Sequence, residues 1–224
     1  MIIDAISDLH GHLPELQGGD LLIVAGDLTA KNKPYEYIQF GLWLNQQKYK
    51  KKIVIAGNHD RILESFPEVL REVDPLNLVM PWTYLCDSGT EFDGLKIWGS
   101  PWTLSFPGMN PHCKAFTVDT EKELAEKWAL IPEDTDILIT HSPPHGCLDL
   151  NDKKENCGSH ALCNYMMRIQ PILSVYGHIH ESYGTTNLFI PSSRYIGMVD
   201  CKMVNASHVN KRYQPVNKPI RVIL

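Results

Sequence analysis

No apolar run in this chain approaches the roughly 20 residues needed to cross a bilayer, so no membrane anchor is expected. The opening residues, Met1 to Ile6, lack a basic leader and a cleavage site, and a soluble, cytoplasmic protein is the expectation. The six cysteines form no C-x-x-C pair, which argues against a structural zinc site. In a reducing compartment Cys86, Cys113, Cys147, Cys157, Cys163 and Cys201 are expected to remain thiols. Positive charge is scarce as well. A formal net charge of −5 argues against an extended nucleic-acid surface, because phosphate backbones select basic faces. It leaves room for a small phosphate ligand, since bound cations would bring their own charge. No repeat, low-complexity tract or linker divides the chain, so one domain over residues 1–224 is expected. The oligomeric state is not legible.

Short apolar, often β-branched runs are present. Residues 2–6, 21–25, 53–56, 95–98, 137–140, 173–176 and 220–223 read as strands buried on both faces. The segments 195–199 and around Met203 are further strand candidates. Between them lie helix candidates: 35–48 with Pro34 as a first helical position, 61–73 broken at Pro67, 119–130 capped by Asp119 or Thr120, and 161–169. Strands alternating with helices indicate an α/β layered fold. The stretches 100–117 and 142–160 are irregular, and long irregular segments in compact proteins are frequently functional. Lys50, Lys51 and Lys52 read as the solvated end of a helix before a strand.

Five motifs follow these strands in order: Asp8-Leu9-His10, Gly26-Asp27, Gly57-Asn58-His59-Asp60, His141, and Gly177-His178-Ile179-His180. Taken singly, several are ordinary turn sequences. Together they place oxygen and nitrogen donors at the ends of five strands. Asp8 and His10, two apart, would point the same way in extended geometry, and Gly26 and Gly57 permit sharp turns. The donor set is carboxylate, amide and imidazole without thiolate. It suits Mn²⁺, Fe or Zn²⁺.

The set Asp8, His10, Asp27, Asn58-His59-Asp60, His141 and His178/His180 resembles the signature of the calcineurin-like metallophosphoesterases. Ser100-Pro101-Trp102, Leu130-Ile131-Pro132-Glu133, Asp136 to His141 with Pro143-Pro144, and Tyr176 to Glu181 look like the metallophosphoesterase-domain-containing subgroup. The resemblance implies two face-to-face mixed β-sheets flanked by helices. It implies one metal on Asp8, His10, Asp27 and His180, and another on Asp27, Asn58, His141 and His178. It also implies hydrolysis of small, often cyclic nucleotide-type phosphodiesters, with a hydroxide shared by the two ions as nucleophile.

His59 is then expected to be catalytic, donating to the phosphoryl group or the leaving oxygen. Asp60 is expected to orient His59, or to cap the helix at Arg61. Trp102 or Phe106 would stack on a base or pack under the loop. His12 and His145 are further phosphate contacts to consider, whereas His160 and His208 read as surface or cap residues. The competing functions are a phosphomonoesterase or protein phosphatase on the same centre, a non-catalytic scaffold, and a repair nuclease. The last would want a basic groove and extra domains.

Overall fold

Alternate residues of the central strands serve two different cores. In β1 (Ile2–Ile6), β2 (Gly19–Ala25) and β3 (Tyr49–Ile55), the side chains of Ile3, Ala5, Ile23, Ala25, Ile53 and Ile55 enter one apolar cluster, while Ile6, Leu22, Val24 and Val54 join another. Side chains alternate across a strand, so a strand apolar at every position must be covered on both faces. The computed structural model describes residues 1–66, 82–106, 108–192 and 197–224.

The first sheet has the order β13-β1-β2-β3-β4, with β4 at Trp82–Tyr84 and β13 at Ile220–Ile223. Its pairings are parallel except for β13, which runs antiparallel to β1. The second sheet contains β5 (Ser88–Phe92), β6 (Leu95–Ser100), β9 (Ile137–Thr140), β10 (Leu173–Tyr176), β11 (Gly184–Pro191) and β12 (Met198–Asn205). Its order is β11-β12-β10-β9-β6-β5, parallel inside with antiparallel edges. A two-residue pair, β7 (Thr103–Leu104) and β8 (Thr117–Val118), closes the irregular stretch.

Ile97, Ile137, Ile139, Leu173, Val175 and Val204 of the second sheet meet the first sheet's inner face. On the outer side of the first sheet lie α1 (Pro34–Gln46) and α2 (Arg61–Ser65), through Tyr37, Phe40, Leu44 and Leu63. The second sheet is covered by α3 (Glu121–Trp128) and α4 (His160–Ile169), through Leu124, Trp128, Leu162 and Met166. The result is the expected α/β/β/α sandwich of two mixed sheets. Among the described residues, no helix is long and apolar enough to cross a membrane.

Some local expectations change. Lys50, Lys51 and Lys52 lie inside β3, not at a helix end, because pairing with β2 begins at Gly19↔Tyr49. Cross-strand pairing overrides the weak strand preference of lysine. Lys52 is buried, its Nζ donating to the Asn45 carbonyl at 3.4 Å. The cap of α3 is Thr120, in a reciprocal box with Glu123. The helix starting at Arg61 ends at Ser65; residues 67–73 of that candidate, and 195–196 of the strand candidate 195–199, lie outside the described residues.

Candidate metal centre

The five motifs leave the carboxyl ends of β1, β2, β3, β9 and β10. These strands belong to both sheets, and their ends meet at one edge of the sandwich, where α/β folds place ligands. The backbone there is unusual. Asp8 (φ 51°), His10 (φ 42°), Asp27 (φ 53°) and His178 (φ 68°) all occupy the left-handed region, which is sparsely populated outside glycine and tends to collect at functional sites. Asp8 and His10 are therefore not extended. Their N–H groups donate to Gly26 and Asp27 carbonyls, both at 2.9 Å. That sideways pairing with the turn after β2, not strand alternation, aims both side chains inward.

Gly26 (φ 99°) makes the turn before Asp27. Gly57 serves a different purpose from a turn. A β-carbon there would sit 2.3 Å from Asp27 Oδ1 and 2.7 Å from the His141 ring, so glycine lets the two motifs close on each other.

Asp8 and Asp27 are both buried, and no lysine or arginine pairs with either among the described residues. Their neighbours are imidazoles. His180 Nε2 lies 3.2 Å from Asp8 Oδ1 and 3.4 Å from His10 Nε2. His10 Nε2 lies 3.6 Å, and His59 Nε2 3.9 Å, from Asp27 Oδ2. His141 Nε2 lies 3.5 Å from Asp27 Oδ1. Donor atoms of Asp8, His10 and His180, of Asp8, Asp27 and His141, and of His10, Asp27 and His59 form three groups, each within 4.8 Å. Among the described residues, His178 does not complete such a group. Its ring lies 5.1 Å from that of His141, and its N–H donates to the Asp8 carboxylate at 3.0 Å.

Hydrogen-bond logic tests whether these residues fit a cation. The His141 Nδ1 lies 2.9 Å from the Ala25 carbonyl, which can only accept, so Nδ1 carries a proton. Nε2 then faces Asn58 Oδ1 at 3.1 Å. The Asn58 amide is oriented by its Nδ2, which donates to the Cys113 carbonyl at 2.9 Å. A neutral His141 would thus aim a lone pair at an amide oxygen and a carboxylate oxygen. Either a second proton or a cation must lie between them. The donor set fits a hard or borderline divalent metal.

The charge balance agrees. Burial alone would lower the basicity of His141, but Asp27 outweighs it and raises the group to about 9. His180 is likewise raised, by Asp8 against burial. Burial pushes His10 down to about 4 and, with help from His141, His178 down to about 3. Burial would push both carboxyls up; His180 beside Asp8 and His141 beside Asp27 win, and both stay below the ordinary value.

Asp60 corrects the expectation. Its buried carboxylate accepts from the Leu28, Thr29 and Gly57 N–H groups and the Thr29 hydroxyl, at 2.9–3.2 Å. It makes no bond to the His59 ring and no side-chain cap for α2. Asp60 ties the β2 and β3 loops together, because four nearby donors consume its lone pairs. His59 is held instead by its N–H, which donates to Asp27 Oδ1 at 2.8 Å.

Other residues enter that sequence reasoning had not singled out. Ser207 donates to Asp8 Oδ2 at 2.8 Å, and it follows strand β12 just as the motif residues follow theirs. Tyr213 sets its ring edge-on to His10, centroids 4.8 Å apart, and to His180 at 5.5 Å; no sequence signal marks it. His208 is buried rather than on the surface, its Nδ1 lying 2.7 Å from the Asn217 carbonyl. Trp102 packs under the loop: it donates to Asp87 at 2.7 Å and meets Phe116 edge-on. Phe106 instead lines a cleft of about 1400 Å³ beside the centre, with His12, His145 and Tyr213. His145 and His160 stack there at 3.7 Å.

A family model described as calcineurin-like phosphoesterase matches residues 1–182. Human Metallophosphoesterase domain-containing protein 1 is 39% identical over 244 aligned positions, covering 98% of this chain and 69% of that protein. A UPF0046 protein of Caenorhabditis elegans is 38% identical over 200 positions, covering 83% of this chain and 69% of its own length. Among solved structures, the protein TT1561 of Thermus thermophilus superposes with a TM-score of 0.60 at 18% identity, covering 91% of this chain and 88% of the other. At that identity the likeness concerns the fold alone.

Proposed function

The chain belongs to the calcineurin-like phosphoesterase family and its metallophosphoesterase-domain-containing subgroup, as a metal-dependent phosphoester hydrolase, and from that premise we propose that it is a phosphodiesterase acting on small nucleotide-type esters. One divalent ion would be held by Asp8, His10, Asp27 and His180, and another by Asp27, Asn58, His141 and His178, with manganese the expected metal and iron or zinc the alternatives. Bound there, the ions would supply an acidified water near neutral pH and offset negative charge on the phosphoryl oxygens.

The observation that carries this reading is the His141–Asn58–Asp27 cluster, where fixed lone pairs converge in a buried place. The chain's own groups do the rest. Ser207 and the His178 N–H fix the Asp8 carboxylate, and second partners of this kind orient ligands. The His141 tautomer is set by Ala25. His59 is close to the ligand set but partly exposed, its side chain 14% accessible. From there it would hold a phosphoryl oxygen or give a proton to the leaving alkoxide. The wide cleft, with exposed Phe106, offers a nucleoside both room and an aromatic face.

The test compares bis(p-nitrophenyl) phosphate with p-nitrophenyl phosphate at equal loading of Mn²⁺, Fe²⁺ or Zn²⁺, with bound metal counted by elemental analysis. Faster turnover of the diester, abolished by Asp27→Asn, is expected. Preference for the monoester would make it a phosphomonoesterase. Two bound ions with no turnover of either ester would leave a scaffold.

A further inference from the structure

Beside the metal centre, adjoining the wide cleft at Ala30, His59, Asn110 and Cys113, lies a second cavity of about 390 Å³. Its lining comes from three separate segments. Lys31 and Lys33 are in the turn before α1, Arg61 opens α2, and His112 sits in the 3-10 turn Pro111–Cys113. His59 lines both this cavity and the wide cleft. Three cationic residues thus line one small space in a chain whose net charge is −5.

Among the described residues no carboxylate lines the cavity, and Lys31, Lys33 and Arg61 form no ion pair. The acids closest in sequence are engaged elsewhere. Glu36 accepts from the N–H groups of Ala30, Lys31 and Lys33, and Asp60 from Leu28, Thr29 and Gly57. Glu64, on α2 with Arg61, accepts from the Phe116 N–H at 2.8 Å. The cationic segments are also held in register. Asn32 Oδ1 accepts from the Tyr37 hydroxyl at 2.6 Å and the Ile62 N–H at 3.0 Å, which ties the Lys31–Lys33 turn to α2. The wide cleft differs: Glu121, Asp152, Glu155 and Glu181 there outnumber Lys153 and Lys211.

We propose that this cavity receives a second, non-reacting phosphate of the substrate, held by Lys31, Lys33 and Arg61 while the reacting phosphate lies at the metals. The preferred substrate is then a nucleotide diester that carries an additional phosphate, with His59 between its two anionic groups. Arginine and lysine donors suit phosphate oxygens. The backbone segments they come from are already tied to each other, so the ordering cost is confined to the three side chains. This assignment rests on the phosphodiesterase reading above.

The experiment measures binding and turnover separately. Calorimetry on the Mn²⁺-loaded protein compares thymidine 5′-monophosphate, thymidine 5′-diphosphate and thymidine 3′,5′-bisphosphate. At least one doubly phosphorylated ligand is expected to bind roughly tenfold or more tighter than the monophosphate. Lys31→Ala/Lys33→Ala/Arg61→Ala should bring that ratio close to unity. Lys31→Gln/Lys33→Gln, which leaves α2 untouched, should reduce it in part. Equal affinity for all three ligands in the wild-type protein overturns the proposal. So does a triple variant that weakens mono- and bisphosphate alike, since that is a diffuse field and not a site. Turnover is followed with thymidine 5′-(p-nitrophenyl phosphate) with and without a 3′-phosphate. Selective binding without turnover would remove the phosphodiesterase reading and leave the second-phosphate site standing. Turnover of both esters with no binding preference would do the reverse.

Discussion

Gly177 lies so close to Asp8 that a β-carbon on it would stand 2.1 Å from Asp8 Oδ2 and the same distance from Ser7 Oγ. The strand ends of the two sheets meet at this point without a side chain between them. Gly177→Ala must therefore displace Asp8 or the β10 turn. We predict a loss of about 1–3 kcal/mol in stability from overpacking, together with loss of metal. Elemental analysis of the purified variant checks it; full metal content at wild-type activity would contradict it.

His59 is expected to act on the substrate and not to hold metal. His59→Ala should lower kcat about 10²–10⁴-fold with metal content nearly unchanged. Because His59, His10 and Asp27 also form a group compact enough for an ion, loss of one equivalent of metal in this variant would reassign His59 as a ligand.

Ser207 fixes Asp8 from the end of β12. Removing a partner of this kind from a ligand typically weakens metal binding about 10–100-fold. Ser207→Ala should show that loss in a competitive chelator titration, while the chelated protein keeps its circular dichroism spectrum. An unchanged titration would show that the His178 N–H alone suffices.

Acidity should move the metal-free and metal-loaded proteins in opposite directions. With metal removed, the folded state raises His141 to about 9, above its unfolded value near 6.5. The stability it contributes is complete below pH 6.5 and lost as pH rises through about 9. Asp60, pushed up to about 7 mainly by burial, adds a loss of the same sign as pH rises toward 7. His10 and His178, pushed down to about 4 and about 3, are neutral in the folded state across this range. Because they titrate near 6.5 when unfolded, they add an opposing gain confined to its lower end. The chelated protein should therefore lose Tm between pH 6.5 and 9. The Tm increment on adding Mn²⁺ should grow over the same interval, because binding displaces the His141 proton. Thermal melts at several pH values, with and without chelator, test both slopes; a flat chelated profile would refute the charge balance drawn for His141.

The donor residues were legible because each follows a run such as Leu21 to Ala25 or Ile137 to Thr140, apolar on both faces and bounded by glycine or a polar residue. The edge strands β5 and β11 were not. Ser88–Phe92 and Gly184–Pro191 have solvent on much of their surface, so burial imposes no continuous apolar pattern on them. Asp60 misled for another reason. Its neighbour in sequence is His59, but its partners Leu28 and Thr29 come from the loop after β2.

The order of the motifs and the chemistry of their side chains settled the family and the layered fold, because donor type and strand periodicity are written locally. Which nitrogen of His141 faces Asn58 was decided only by the closing of the two sheets. Where Asp60 turns and how Lys31 and Arg61 come to share a cavity were decided by the packing of the loops after β2 and β3 against each other. Those relations join residues far apart in the chain, and their geometry depends on left-handed turns and close backbone approach that local sequence does not encode.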